Sequence, residues 1–398
     1  MAPWDLTRRS FLRLGSLPVL APLASVLPAA AALSEAAPPA PTPAQPDSAK
    51  ASDALDDALR RFQARAPESG RPGGRLTNHG PMVAEALETM RRPEAIEPFA
   101  AAYLPGQEQA PAASKPLRLA DWREALGRDA EFPRWLALFR KEIDSLGWRE
   151  VTRVWVGRLA PGLAGQATHG ILRTGHAARA LERRDNAVRR DELAHGLAYW
   201  ASTYREVLPG RPLRPGTLMP SRALRGTPLL PAERRITRGL TVGRLTPLAE
   251  FTPFLEAADR VDWRAEPSGY LNDLCRTFAA VYLANTDTSP IILLHAVTGS
   301  SAARLLLPCA DTAGREALLA HAWRASAGFF AVTALRFPAV AGPLQGVDPE
   351  PPALVDAAIG NGAVHAIKFT EACLREWHVA ADPILLRAAA DGVRRLNA

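Results

Sequence analysis

The sequence predicts a mainly α-helical protein that folds as one large domain behind an N-terminal targeting segment. Apolar residues recur every three or four positions along most of the chain, and Ala, Leu, Arg and Glu, all good helix formers, are abundant. Alternating β-branched runs are scarce, and residues 151–156 form the one segment with a strand-like pattern. Hydrophobic residues make up 47% of the 398 positions, which is enough for a sizeable core.

The first residues predict an export signal. The segment TRRSFLR at Thr7–Arg13 carries the paired arginines, the Phe and the Leu of a twin-arginine signal, and the apolar stretch Leu14–Leu33 follows it. Small residues at 29–32 suit signal cleavage. A retained membrane anchor is the alternative, but the Ala- and Pro-rich stretch is weakly hydrophobic for a spanning helix.

The predicted organisation is therefore a signal over residues 1–33, a linker over 34–52 that is rich in Ala, Pro and Ser, and a helical domain over 53–398. The twin-arginine pathway exports proteins already folded, often after cofactor insertion. The expected location is periplasmic or secreted, with the export machinery as a partner. No later segment is long and apolar enough to span a bilayer.

Helical periodicity continues through the domain, with Pro- and Gly-rich loops at 105–116, 209–231 and 338–352 between the helices. Ser289-Pro290 is typical of a helix start. The pattern predicts helices over Asp53–Arg65, Pro81–Met90, Trp135–Leu146, Gly170–Arg183, Arg190–Val207, Tyr270–Ala284, Pro290–Leu307, Arg315–Ala334, Pro352–Trp377 and Asp382–Leu396.

Composition and motifs argue against several classes of protein. The net charge of +7 is scattered rather than gathered in a basic stripe with aromatic residues, so nucleic-acid binding is unsupported. GxGxxG after a strand, GxSxG and HExxH are all absent. The three cysteines, Cys275, Cys309 and Cys373, form no CxxC pair and have apolar neighbours, which indicates buried free thiols.

Histidines in apolar or junction positions are the candidate metal ligands. His79 stands just before a helix, and His295 follows four apolar residues. His169 and His176 share one helix face but are about 10 Å apart along the axis, so one could bind a metal while the other contacts substrate. Arg173 lies on that face and could hold an anionic group. Each histidine also has a purely structural alternative. His79 could cap the helix that follows it, and His295 could be an ordinary core residue. His169 and His176 could lie in a polar contact between two packed helices.

The most informative candidates for a metal site are His365 and Lys368. They lie three residues apart on a predicted helix and have apolar neighbours. A buried lysine loses proton affinity, and its neutral amine can add carbon dioxide and offer an oxygen ligand to a metal. Imidazole with a carboxylate-like oxygen suits iron, zinc or manganese. An ion pair between Lys368 and Glu371 is the alternative. His195, His321 and His378 are typical of ordinary helix residues.

Four segments together resemble the questin oxidase-like family in order and approximate spacing. They are NHGPMVAEAL (78–87), HGILRTGHAAR (169–179), PIILLHAVTGSSAARLLLP (290–308) and HAIKFTEACLRE (365–376). The resemblance runs from about residue 54 to the C-terminus. It implies a mostly helical fold and oxidative chemistry on aromatic polyketides. Fungal members open anthraquinone-type rings by Baeyer–Villiger-like or dioxygenase-like reactions.

In some members of the family, four histidines and a carbamylated lysine hold a mononuclear non-haem iron. Carried onto this chain, the metal ligands are His79, His169, His295, His365 and Lys368. His176 is the competing fourth histidine, and His176 or Arg173 would position the substrate.

The resemblance thus implies an oxygenase that uses iron and dioxygen on a phenolic or quinone substrate. NADPH would be scarce outside the cytoplasm, which favours a dioxygenase-like reaction over one that uses NADPH as reductant. A zinc-dependent hydrolase with a metal-bound water is a second hypothesis. A non-catalytic helical binding protein, in which the histidines would not converge, is a third.

Overall fold

A computed structural model describes residues 48–71, 74–338 and 349–396. The predicted signal and residues 34–47 of the predicted linker lie outside these ranges. The described part of the chain forms a single helical domain, which confirms the predicted fold class. The first helix begins at Ser48, five residues before the predicted start.

The described residues form seventeen α-helices, joined by loops and short 3₁₀ turns, and one β-hairpin. In the hairpin, strand β1 (Glu68–Arg71) pairs antiparallel with β2 (Gly74–Thr77), and Glu68 lies opposite Thr77. The helices are α1 (Ser48–Gln63), α2 (Gly80–Thr89), α3 (Ile96–Tyr103), α4 (Trp122–Ala125), α5 (Phe132–Leu146), α6 (Trp148–Leu159), α7 (His169–Arg183), α8 (Ala187–Ser202), α9 (Pro220–Leu224), α10 (Thr241–Leu245), α11 (Thr252–Ala258), α12 (Pro267–Ala284), α13 (Pro290–Leu306), α14 (Thr312–Thr333), α15 (Pro351–Asn361), α16 (Val364–Ala380) and α17 (Pro383–Arg395).

Two predicted elements are corrected by the structure. The strand-like segment 151–156 lies inside helix α6, whose buried residues recur with helical spacing (Trp148, Val151, Thr152, Trp155, Val156 and Leu159). The predicted helix Pro352–Trp377 is two helices, because Gly362 adopts φ +75° and ends α15. This break places His365 in the first turn of α16.

Aromatic residues fill the core between α5 and α6. The rings of Trp135 and Phe139 stack at 5.6 Å, and both meet Trp155 edge-on at 5.5 and 5.0 Å. All three side chains are fully buried. The core continues through α7, α8, α12, α13, α14 and α16, which pack on one another around the centre of the domain.

Helices α7 and α8 approach each other closely at glycine positions. A Cβ on Gly170 would lie 2.6 Å from Cα of Trp200, and one on Gly196 would lie 2.9 Å from Cα of Thr174. Only glycine lets the two backbones come this near. Within the described residues, no helix is both long and apolar enough to cross a membrane.

The replacement Gly170→Ala should therefore destabilise the protein, although a Gly-to-Ala change inside a helix ordinarily stabilises it. The clash with the Trp200 backbone should lower the free energy of unfolding by about 1–3 kcal/mol. Gly360→Ala on α15 is the matched control, since no atom lies within 4 Å of its added Cβ. That control should gain about 0.5–1 kcal/mol. Urea denaturation measures both, and equal effects from the two variants would contradict the close approach.

Candidate metal centre

Four of the described helices bring a histidine each to one place. His79 is the residue before α2, and its segment is held by hydrogen bonds from Asn78 to the carbonyls of Ala66 (3.2 Å) and Pro67 (2.8 Å). The backbone N–H of His79 donates to the hydroxyl of Tyr103 at 2.8 Å. The β-hairpin and α3 thus fix where His79 stands.

His169 is the first residue of α7, and an unusual turn precedes it. Gln166, Ala167 and Thr168 have φ values of 41°, 51° and 69°, in the left-handed region that L-residues rarely occupy. His295 lies in the second turn of α13, and its side chain is buried. His365 lies in the first turn of α16 and is partly exposed.

The four imidazoles contact one another. Nε2 of His169 lies 3.0 Å from Nε2 of His79 and 3.3 Å from Nε2 of His295. The ring of His365 completes the group, with its centroid 4.8 Å from that of His79 and 5.3 Å from that of His295. The sequence-predicted histidines 79, 169, 295 and 365 therefore lie together, and their role as metal ligands stays a prediction.

Backbone carbonyls set the tautomer of two of these rings. Nδ1 of His169 lies 2.5 Å from the carbonyl oxygen of Gln166, and Nδ1 of His295 lies 2.5 Å from that of Ile291. A carbonyl only accepts, so each Nδ1 carries a proton and donates it. In the neutral ring, Nε2 then presents a lone pair, and the lone pairs of His169 and His295 face each other across 3.3 Å.

These histidines are held neutral. Burial, together with the charge of Lys368, lowers the pKa of His295 to about 3. Burial is also the main cause that lowers the pKa values of His79, His169 and His365 well below the ordinary range. Two neutral rings that can only accept cannot bond each other, so a cation between them satisfies both.

The spacing of the nitrogens fits one metal ion. Nitrogens that bind an ion at about 2.1 Å lie about 3.0 Å apart at right angles and about 3.4 Å apart in a tetrahedron. The observed separations of 3.0 and 3.3 Å match that range. The ligand atoms of His79, His169 and His365 all lie within 4.8 Å of one another and could hold a metal ion.

Lys368 lies one turn beyond His365 on α16, and its side chain is buried. No hydrogen-bond partner for its Nζ exists among the described residues, and burial lowers its pKa to about 7. The alternative ion pair with Glu371 does not form. Glu371 instead accepts from Arg179 at 2.5 Å and lies 3.3 Å from Arg375.

The four helices run in the same direction away from the site. Along α2 and α7, His79 contacts His169 and, two turns later, Glu85 contacts His176. Along α16, Lys368 and His365 precede Glu371, which contacts Arg179 of α7. Helix N-termini carry partial positive charge, so this arrangement favours neutral or anionic groups at the site over a lysine ammonium.

A buried ionic network that was not predicted from the sequence lies beyond the histidines. Glu85 of α2 bonds Nδ1 of His176 (2.5 Å), Arg179 (2.9 and 2.5 Å) and Arg183. Burial raises the pKa of the Glu85 carboxyl, but the two guanidinium groups and His176 outweigh it and hold the pKa well below its usual value. Arginines spaced three or four apart on an apolar helix face were the available signal.

His176, the competing ligand, and Arg173, the predicted anion-binding residue, both pair with buried carboxylates in a second layer outside the histidine cluster. His176 bonds Glu85, whereas His169 meets the other histidines, which favours His169 as the ligand. Arg173 makes a bidentate pair with Glu192 of α8 at 2.6 and 3.0 Å, and both side chains are buried. Substrate contact by Arg173 or His176 stays a prediction.

A cavity of about 360 Å³ is lined in part by Ala66 and Pro67, whose carbonyls accept from Asn78. Its volume is within the size range of small-molecule sites. Glu68 and Tyr199 line it together with Phe132, and the Tyr199 hydroxyl bonds Glu68 (2.8 Å) and Thr77 (2.6 Å). None of the four histidines lines this cavity.

Comparison with family models identifies a family for this chain. A family model described as questin oxidase-like matches residues 97–370. The matched segment contains His169, His295, His365 and Lys368, while His79 precedes it. No curated protein matches the chain significantly.

The buried Lys368 predicts a pH dependence for the metal-free protein. Its pKa is about 7 when folded and ordinarily 10.5, so between these values the unfolded chain binds more protons. The free energy of unfolding should therefore rise with pH, by at most about 1.4 kcal/mol per unit. Below pH 7, where both states are protonated, the buried ammonium destabilises the fold fully.

Urea unfolding in buffers free of metal and carbon dioxide, at about pH 7 and about pH 8.5, measures this rise. The buried histidines add a rise of the same sign, because each is partly protonated at pH 7 in the unfolded chain but neutral in the folded one. Wild type and Lys368→Met share that contribution, so the variant should show a clearly smaller rise than wild type. An equal rise in wild type and Lys368→Met would show that another group causes it.

Proposed function

The chain belongs to the questin oxidase-like family, and on that premise we propose that it is a non-haem, iron-dependent oxygenase that cleaves an aromatic ring. Family membership implies an oxidoreductase that acts on an aromatic polyketide. The proposal adds the metal, its ligands and the type of reaction, which is Baeyer–Villiger-like or dioxygenase-like ring cleavage of a phenolic or quinone substrate.

The facing lone pairs of His169 and His295 carry this proposal. They lie 3.3 Å apart in a buried site, both on neutral rings whose protons are bonded elsewhere. Two lone pairs that face each other in a buried site repel, and a cation bound between them would turn that repulsion into attraction. His79 and His365 complete a set of four imidazoles suited to iron, zinc or manganese.

We propose that Lys368 carries a carbamate that supplies the fifth, anionic ligand. Three features support it: the amine is buried, it has no partner among the described residues, and its pKa of about 7 leaves a large fraction of it neutral at physiological pH. A neutral amine attacks the carbon of CO₂, and one N–H proton is released as the carbamate forms. The carbamate anion would also offset the positive ends of the four helices.

Iron bound there would supply the one-electron chemistry that lets dioxygen react with an organic substrate, and in a dioxygenase-like reaction the substrate itself would supply the net electrons. The chain's own residues do the rest. The Gln166 and Ile291 carbonyls hold the imidazoles in the tautomer that binds metal, a role second-layer partners commonly play. Burial excludes bulk water from His79, His169 and His295. A dioxygenase-like reaction needs no NADPH, which is why that reductant is the less favoured donor.

We also propose that the mature protein is periplasmic or secreted, after export by the twin-arginine machinery. The segment TRRSFLR at residues 7–13 and the weakly apolar stretch after it support this location.

Metal analysis of the full chain, purified by its own export route, tests the proposed function. Wild type should carry about one iron per chain, and Lys368→Ala should lose most of it because the anionic ligand is gone. Lys141→Ala, at an exposed lysine of α5, is the matched control and should keep its iron. Wild-type protein exchanged with ¹³C-bicarbonate should show a carbamate ¹³C resonance that Lys368→Ala lacks.

Unchanged iron and activity in Lys368→Ala would contradict the ligand assignment. Stoichiometric zinc in place of iron, without oxygen consumption, would favour the metal-dependent hydrolase. If the wild-type protein binds no metal, the proposed metal centre is ruled out, and the non-catalytic helical binding protein becomes the favoured hypothesis.

A further inference from the structure

We propose that the left-handed turn Gln166–Thr168, clamped by Gly299 of α13, is the positioning element of the metal centre. The turn sets the direction of His169, and Gly299 is the residue that gives the turn room. This inference rests on the proposed metal centre, but it concerns residues that bind no metal themselves.

The turn has an uncommon backbone conformation. Three successive non-glycine residues have (φ, ψ) near the left-handed helix: Gln166 (41°, 48°), Ala167 (51°, 49°) and Thr168 (69°, 7°). Such residues usually occur singly, because Cβ approaches the following carbonyl oxygen. Strain of this kind persists only where the surrounding structure enforces it, and it clusters at functional sites.

The surroundings enforce it through glycines. A Cβ on Gly299 would lie 2.7 Å from Cβ, Cγ2 and Oγ1 of Thr168, so α13 touches the turn where it has no side chain. A Cβ on Gly165 would collide with the backbone carbonyl of Thr203, and one on Gly170 with the backbone of Trp200. Both ends of the turn are therefore pressed against neighbouring backbone.

The turn is joined directly to the metal ligand. The Gln166 carbonyl, whose direction depends on the backbone angles of the turn, accepts from Nδ1 of His169 at 2.5 Å. That bond fixes both the tautomer and the orientation of the ring. Gly299 lies one turn beyond His295 on α13, so its contact with Thr168 also sets the distance between the helices that carry His169 and His295.

A metal site needs such control, since its ligands must be held within about 0.5 Å of the working geometry. Thr168 adds a second indication. Its side chain is buried, and its hydroxyl has no hydrogen-bond partner among the described residues. Thr168 therefore acts at this position through its packing against Gly299 rather than through a hydrogen bond within the protein.

Binding of Co²⁺ to the metal-stripped full chain tests the inference, with affinity and the visible absorption spectrum as readouts. Gly299→Ala should push on Thr168 and rotate His169, which should weaken Co²⁺ binding at least about tenfold and change the spectrum. The double variant Thr168→Gly/Gly299→Ala removes the opposing side chain, so it should restore the wild-type spectrum and most of the affinity. Gly360→Ala is the control and should bind Co²⁺ as wild type does.

Wild-type affinity and spectrum in Gly299→Ala would overturn the inference while leaving the metal centre intact. A folded double variant that stays as weak as Gly299→Ala would overturn it as well. If Gly299→Ala does not fold, Ala167→Gly/Thr168→Gly tests the same point without adding an atom. Unlike the Thr168→Gly/Gly299→Ala variant, it leaves no side chain between the turn and Gly299 of α13, so the turn is no longer clamped. Co²⁺ binding should therefore weaken, and unchanged binding would overturn the inference. If wild type binds no Co²⁺, the metal centre itself fails, and this inference fails with it.

Discussion

The structure depends on one electrostatic constraint, which is that two buried imidazoles present lone pairs to each other at 3.3 Å. Backbone carbonyls fix the protons of His169 and His295 on the far side of each ring, and burial keeps the rings neutral. No rearrangement of protons between these two neutral rings removes the conflict. A cation between them does, and His79 and His365 stand where they would bind it too.

The fold creates this constraint by bringing the N-terminal ends of four helices together. Each histidine sits at or near the start of its helix, so the helices diverge from the site in parallel. Parallel helix dipoles repel one another and create a positive region at their N-termini. A neutral Lys368 would add no further positive charge there, and the carbamate proposed for it would offset that potential.

A second layer of buried charge holds these helices in register. Glu85 of α2 and Glu371 of α16 both accept from Arg179 of α7, and Glu376 of α16 accepts from Arg304 of α13. Buried ion pairs of this kind contribute less to net stability than to specificity of arrangement. Here they tie together the four helices that carry the histidines, so the network fixes where those helices begin.

Much of this could be predicted from the sequence, and the exceptions have physical reasons. The helical fold and the histidines followed from periodicity, apolar surroundings and the family resemblance. The break at Gly362 was signalled by the Asn-Gly pair at 361–362, but the apolar pattern runs through it. The left-handed turn before His169 had no signal, since none of its three residues is glycine. The Glu85–Arg179–Glu371 network joins residues that are far apart in the chain, and a single sequence does not indicate which distant residues will be in contact.

X-ray absorption spectroscopy of the iron-loaded protein would decide whether the histidines hold the metal, because it counts the ligands around the ion. We expect scattering from four imidazoles, with one anionic oxygen that is lost in Lys368→Ala. A shell made mostly of oxygen ligands, with one imidazole or none, would show that the facing lone pairs of His169 and His295 do not hold the ion.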